Sequence, residues 1–240
     1  ENDNMPKDNT TASISVVVPV YNEAGNIGPL ASETIDALAR FFNFEIIFVD
    51  DGSTDATTEE IRRAVKLSPF IAIRRHTRNR GQSAAVHTGV KAAKYNVIAV
   101  LDGDGQNDPK DIPNLFEALR KNPGTGLVIG ERRKYRGPWV RRVASRMTNA
   151  VRSRLLRDGV SDTGCGVKVF HRDAYLQLPT FDHMHRFMPA LFCHAGFGIG
   201  SVVVNHRARL KGESKYGVGD RLWVGIVDLL GVMWLQKRRI

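Results

Sequence analysis

The stretch VLDGDGQNDP, residues 100 to 109, ends an apolar run and then sets Asp102, Asp104 and Gln106 at every second position, separated by glycines. On extended backbone a period of two would turn all three oxygen-bearing side chains to one side. Two carboxylates held that close repel unless a positive charge sits between them. Oxygen donors of this kind suit a hard divalent cation, Mg2+ or Mn2+, with water and phosphate completing the shell. A calcium loop fails on spacing, because the sixth residue from Asp102 is Asn107 rather than Gly and the twelfth is Pro113 rather than Glu. No His/Cys cluster has zinc spacing.

A second acidic cluster, DDGSTD, places Asp50 and Asp51 directly after an apolar run, with Gly52 to turn the chain. Its Ser, Thr and Asp content fits a turn and helix cap. It fits equally an Asp that accepts hydrogen bonds from a base or ribose. The chain has no G-x-x-x-x-G-K-[ST] loop, and GFGIG at 196 to 200 does not join a strand to a helix. A nucleotide bound here would therefore need a metal for its diphosphate, which Asp102 and Asp104 could hold.

The elements that must position these residues alternate. SISVVVP (13 to 19), FEIIFVD (44 to 50), FIAIRR (70 to 75) and NVIAVLD (96 to 102) read as strands. Helical patterns follow the first three: GNIGPLASETIDALARFF, TTEEIRRAVKL with Ser53, Thr54 or Asp55 available as cap, and GQSAAVHTGVKAAKY with one face of small residues. Such alternation predicts an α/β fold, a mostly parallel sheet with helices on both faces. Ligands then bind at the carboxyl ends of the strands. The polar clusters PVYNE, DDGSTD, RNRGQ and DGDGQ each follow a strand, so the topology gathers them at one edge.

Beyond residue 105 the pattern loosens. DIPNLFEALRK reads as a helix, TGLVIG as a strand, 138 to 157 as a basic helix, and GCGVKVF and IGSVVVNHR as further strands, with room for one to run antiparallel. Residues 1 to 12 are polar, with neither an apolar core nor a cleavage pattern, and read as a disordered tail. No linker or repeat divides 13 to 217, which is read as one domain, and 218 to 240 as an amphipathic C-terminal segment. No run reaches the roughly 20 apolar residues of a spanning helix. Two cysteines, Cys165 and Cys193, make no disulfide framework and read as buried small hydrophobes.

VVVPVYNEAGNI, VDDGSTDAT, RNRGQSAAVHTG and VLDGDGQNDP, in that order, resemble the nucleotide-sugar half of the family 2 glycosyltransferases with the GT-A fold. RLKGESKYG (209 to 217) and DTGCGVKVF (162 to 170) are similar to the branch that includes dolichol-phosphate mannosyltransferase and bacterial enzymes loading sugars onto polyprenyl phosphate. Gly103 stands where relatives often carry alanine, a change expected to matter little chemically. The resemblance implies that Pro19, Tyr21, Glu23, Asp50 and Asp51 form the donor's nucleoside site. It implies further that Asp102, Asp104 and Gln106 hold the metal on the diphosphate, and that Arg209 and Lys215 clamp the phosphates. Arg132 would face the reacting centre, and Arg141 and Ser145, with Arg132, would take the acceptor phosphate. The seven histidines are scattered without metal spacing and read mostly as structural, with His183 and His185 the candidates for a place near the acceptor. The implied reaction is metal-dependent, inverting transfer from a GDP- or UDP-sugar to dolichyl or undecaprenyl phosphate.

Charge supports a lipid-phosphate acceptor independently. The chain's net charge is +10, and residues 132 to 157 hold ten Lys/Arg and no acid. Apolar residues recur there at near-helical spacing, from Val140 to Leu155, as on a helix lying among headgroups. LWVGIVDLLGVMWLQKRR, with Trp223 and Trp234 near its edges and a basic end, suits the cytoplasmic face of a membrane, where the chain would sit peripherally. A contact between two copies of the chain and a buried terminal helix are its rivals. Two other functions compete: transfer to a saccharide hydroxyl, with Asp162 as base, and nucleic-acid binding, which rests on charge alone and lacks a recognisable module. The expectation is no nucleic-acid partner.

Overall fold

The structure, a computed structural model, describes residues 12–132, 153–156, 158–160, 164–205, 207 and 218–238. Among the described residues seven strands form one sheet, in the order β3-β2-β1-β4-β6-β5-β7. They are β1 (Ala12–Val20), β2 (Phe42–Asp50), β3 (Ile71–Arg75), β4 (Val97–Val100), β5 (Thr125–Arg132), β6 (Lys168–His171) and β7 (Gly198–Val204). Six run the same way, and β6 alone is reversed, pairing antiparallel with both β4 and β5.

Helices described in full are α1 (Ile27–Leu38), α2 (Thr57–Leu67), α3 (Gln82–Ala92), α4 (Ile112–Lys121), α5 (Arg172–Leu176), α6 (Met188–His194) and α7 (Val218–Gln236), and residues 153–156 are helical as well. Short 3-10 turns lie at Pro109–Asp111 and Met184–Arg186. In α2, Glu59 and Glu60 sit in the first turn and Lys66 in the last, each sign complementing the helix dipole. Its cap position is Ala56; the neighbouring Asp55 accepts the Thr57 N–H at 3.0 Å, doing from one residue earlier what a capping side chain does.

β1, β2 and β4 are largely buried on both faces, so their apolar runs are continuous rather than alternating, whereas the edge strand β3 ends exposed at Arg74 and Arg75. One face packs Ile14, Val16, Val18, Phe48 and Leu101 against α1, α2 and α4. The other packs Val17, Ile47, Val49, Ile98 and Val100 against α3, and Phe170, Tyr175 and Phe192 farther along. The small-residue face of α3 has a direct use: a Cβ on Gly89 would lie 2.3 Å from Val17 Cγ1, so only glycine lets the helix sit this low on β1. α7 joins the same layer through Leu229, Val232 and Met233.

The four strand-first units appear where the pattern put them, within a few residues at each end. α5 and α6, only 5 and 7 residues long, were not expected. The basic helix expected over 138 to 157 lies almost wholly outside the described residues. Among the described residues no helix is long and apolar enough to cross a membrane.

Candidate functional site

The parallel strands bring the ends of β1, β2, β3, β4 and β5 to one edge, and short bonds knit them. Asp51 N–H donates to Val20 O at 2.9 Å, His76 N–H to Asp50 O at 2.9 Å, and Leu101 N–H to Val17 O at 3.1 Å. The loop after β1 is pinned to the start of α2: Glu23 N–H donates to Thr57 Oγ1 at 2.8 Å and Thr54 N–H to Asn22 Oδ1 at 2.8 Å. Asn22 holds a φ of 52°, a left-handed conformation that the Asn side chain tolerates. Tyr21 and Glu23 are left half-buried at the edge, while Pro19 is buried.

The two aspartates of DDGSTD face inward. Asp50 accepts from Ser53 N–H at 2.8 Å and from the Thr58 hydroxyl, with Arg75 Nε 3.3 Å away. Asp51 accepts from Arg80 N–H at 2.9 Å and Gly81 N–H at 2.8 Å, and lies 2.6 Å from His76 Nδ1. Their side chains are 0% and 5% exposed. In this arrangement both carboxylates shape the loops after β2 and β3, and those loops present the edge. His76, bridging Asp51 and Thr88 Oγ1, is structural as expected.

The residues after β4 do not stay extended. The strand stops at Val100, the chain turns at Gly103 and Asp104, and Gly105 takes a φ of +72°. The alternation predicted for Asp102, Asp104 and Gln106 is thus replaced by a tight turn, because glycines at 103 and 105 release the backbone from the sheet. Asp104 Oδ1 accepts the Gln106 N–H at 3.1 Å, and Gln106 Nε2 reaches Arg207 O at 3.4 Å. Gly103 fits closely, since a Cβ there would come 2.5 Å from Val20 Cγ1. An alanine at this position would therefore require Val20 to shift.

Asp102 is the most constrained of the three. Its Oδ1 accepts from Gln82 Nε2 at 2.8 Å, and its Oδ2 lies where a Cβ on Gly166 would be only 2.0 Å away. Burial pushes its carboxyl above the usual carboxylate range; Lys168 opposes that shift, Asp104 adds to it, and the Gln82 bond and Arg132 oppose it. Lys168 is buried opposite Val100, and its Nζ donates to Cys165 O at 2.5 Å. Arg132 ends β5 at this same edge, half-buried. Arg207 clamps the loop from the far side, 2.7 Å from both Glu33 and Asp108, with its N–H on Gln106 O at 2.9 Å. Burial would raise the Asp108 carboxyl, but bonds from Arg207 and the Lys110 N–H hold it below the usual range.

The donor set fits a divalent cation of the Mg2+ or Mn2+ type. Two carboxylates whose charges weigh on each other are relieved by such an ion, and the nearby amide of Gln106 is a suitable oxygen donor. Among the described residues no three His, Cys, Asp or Glu side chains converge as a cage, so ligand oxygens would have to complete the shell.

Arg209, Lys215, Arg141, Ser145 and Asp162 lie outside the described residues. His185 lies against α3, its Nδ1 paired with Ser83 Oγ at 2.8 Å. Burial pushes its imidazole down to about 3, with Lys168, Arg186 and His183 adding to the effect. Sequence reasoning missed Gln82, Gly166, Lys168 and Arg207 as parts of the site. A lysine inside the apolar run GVKVF was the available signal for Lys168, since a buried cation needs a nearby anion.

Comparison with known proteins matches residues 15–178 to the model described as glycosyl transferase family 2. A dodecaprenyl-phosphate galacturonate synthase of Rhizobium johnstonii is 36% identical, over 93% of this chain and 67% of its own length. An undecaprenyl-phosphate 4-deoxy-4-formamido-L-arabinose transferase of Aeromonas hydrophila is 35% identical, over 85% of this chain and 63% of its own. The chain thus spans about two thirds of the length of these curated relatives. Among solved structures, the glucosyl-3-phosphoglycerate synthase of Mycobacterium tuberculosis, in complex with Mn2+, UDP and glucosyl-3-phosphoglycerate, superposes with a TM-score of 0.69 at 18% identity. That superposition covers 94% of this chain and 80% of the other, and confirms the GT-A fold. With the motifs in order, the aspartates at the end of β4 and a family match over most of its length, this chain belongs to glycosyl transferase family 2.

Proposed function

We propose that the chain transfers a glycosyl group from a nucleotide diphosphate sugar to polyprenyl phosphate, with inversion, using Mg2+ or Mn2+. One observation carries the reading: Asp102, fixed by Gln82, and Asp104 stand together at the ligand edge. The names of the relatives, polyprenyl-phosphate sugar synthases and transferases, support it.

In this reading Pro19, Tyr21 and Glu23 border the nucleoside, with Asp50 and Asp51 holding the loops that frame it. Asp102, Asp104 and Gln106 would hold the cation, which when bound would supply charge neutralisation to the diphosphate. Arg209 and Lys215 add to that neutralisation. Arg132, Arg141 and Ser145 orient the acceptor phosphate against its repulsion from the donor. A phosphate nucleophile is already ionised at neutral pH, so the chain need not provide a strong base for it. Inversion follows from attack opposite the leaving diphosphate.

In this reading the chain works peripherally at a membrane surface, on its cytoplasmic face, where its acceptor would lie. α7 supports this: Val227, Leu230 and Trp234 are 53%, 60% and 57% exposed along one side, and Arg238 lies over the Trp234 ring at the basic end.

The test is transfer of labelled sugar from UDP- and GDP-sugars to a prenyl phosphate with Mn2+ or Mg2+, using wild type and Asp104→Ala. The expected result is label in the lipid phase for the wild type only, and loss of metal-dependent nucleotide binding in the variant. Label on a phosphate-free glycan instead would replace the reading with hydroxyl transfer.

A further inference from the structure

Beside the metal-site aspartates lies a second concavity of about 550 Å3, bordered by Arg78, Arg80, Gln82, Ser83, Asp182 and His183. Gln82 belongs to both places, since it lines this cavity and donates to Asp102 at 2.8 Å. The cavity therefore opens within one side chain of the site that would hold the diphosphate.

Its lining is cationic and fixed from behind. The backbone N–H of Arg80 is bonded to Asp51, and a Cβ on Gly52 would meet the backbone of Arg78 at 2.6 Å, so both residues start from a rigid loop. Among the described residues neither guanidinium has a hydrogen-bond or ion-pair partner. Across the cavity, His183 takes a φ of 63°, a conformation costly for a residue other than glycine. Its Nδ1 lies 3.0 Å from Asp228 Oδ2 on α7, which leaves Nε2 for a ligand. That contact is close but not aligned: the buried Oδ2 accepts no hydrogen bond among the described residues. Asp182 is the single acid among the bordering residues, against two guanidiniums and an imidazole. Neither guanidinium nor the His183 ring has a part in the mechanism above.

We propose that this cavity is a second oxyanion subsite, in which Arg78, Arg80 and His183, the last with the Asp228 carboxylate 3.0 Å behind its Nδ1, take a carboxylate or phosphate group of a substrate held at the adjoining metal site. The proposal rests on the transferase reading. Two parts of the substrates could bring that chemistry: a carboxylate on the donor's sugar, or the phosphate of the acceptor. The galacturonate relative shows that at least one similar protein is named for a sugar bearing a carboxylate.

The test is calorimetry with Mn2+ on wild type, Arg80→Gln and His183→Asn, each first checked by thermal melting. The titrants are UDP, UDP-glucuronate, UDP-glucose and a short-chain prenyl phosphate. UDP should bind all three proteins alike. One anion arm should weaken about 10- to 100-fold, as loss of a charge-assisted hydrogen bond does. If the UDP-glucuronate advantage over UDP-glucose disappears, the cavity takes the sugar's carboxylate; if prenyl phosphate weakens, it takes the acceptor. Asp228→Asn should weaken the same arm by a smaller factor. Unchanged binding in both arms, or an equal loss for UDP itself, overturns the proposal. A wild type that binds no UDP sinks the donor reading instead, and the prenyl-phosphate arm then still decides on the cavity.

Discussion

Gln82 Nε2 donates to Asp102 Oδ1 at 2.8 Å, so the first residue of α3 fixes the rotamer of the aspartate that follows β4. The glutamine holds one carboxylate oxygen and leaves the other beside Gly166. Replacing it with alanine frees the carboxylate to rotate without altering the donor set. Gln82→Ala is expected to weaken Mn2+ binding about 10- to 100-fold, the usual cost of losing a partner behind a metal ligand. Electron paramagnetic resonance titration of free Mn2+ measures it, and unchanged affinity would show that Asp102 needs no such support.

Gly166 has no room for a side chain. A Cβ there would be 2.0 Å from Asp102 Oδ2 and 2.5 Å from Asn107 Nδ2. Gly166→Ala must therefore displace the carboxylate, and turnover should fall about 100-fold, as a misplacement near 1 Å does at a reacting centre. The fold should persist, because the clash falls on side chains at the edge and not on the sheet. Comparing turnover with the melting temperature separates the two effects.

His185 gives the protein an acid-sensitive limb. Its imidazole, pushed down to about 3 by burial, stays neutral in the folded chain where the unfolded chain, near 6.5, takes up a proton. The unfolded state therefore binds more protons below about pH 6.5, and stability falls as pH drops from there toward 3, by up to about 1.4 kcal/mol per pH unit. Urea midpoints for wild type and His185→Asn between pH 7.5 and 5 should diverge, with the variant losing less. Parallel curves would contradict the assignment.

The outward side of α7 should matter to lipid and little to the fold. Leu230 and Trp234 are more than half exposed, so changing both to serine leaves the core intact. Partition onto anionic vesicles should drop about 10- to 100-fold for two apolar side chains no longer buried in the interface. Flotation of the double variant equal to wild type would remove the membrane role from this helix.

The parallel half was legible because its signals are local. A buried strand reads as a β-branched run, and the polar cluster at its end marks the ligand edge, so β1 to β4 and their loops could be drawn from sequence. The turn at Asp102 to Gln106 could not, since glycines permit both an extended chain and the left-handed bend adopted at Gly105. The inward commitment of Asp50 and Asp51 was equally hidden: their partners Arg75, Arg80 and Gly81 lie 25 to 30 residues downstream. His183 and Asp228 show the same limit, because only packing of α7 brings them together. α5 and α6 escaped notice because each is too short to display a helical period.

The lone reversed strand has a further consequence. β5 finishes at the ligand edge with Arg132, and β6, running the other way, starts from that edge at Lys168. Whatever lies between them leaves and re-enters the sheet on the same side, beside the aspartates. Arg132 and Lys168 thus set both anchor points of the intervening chain at the mouth of the site.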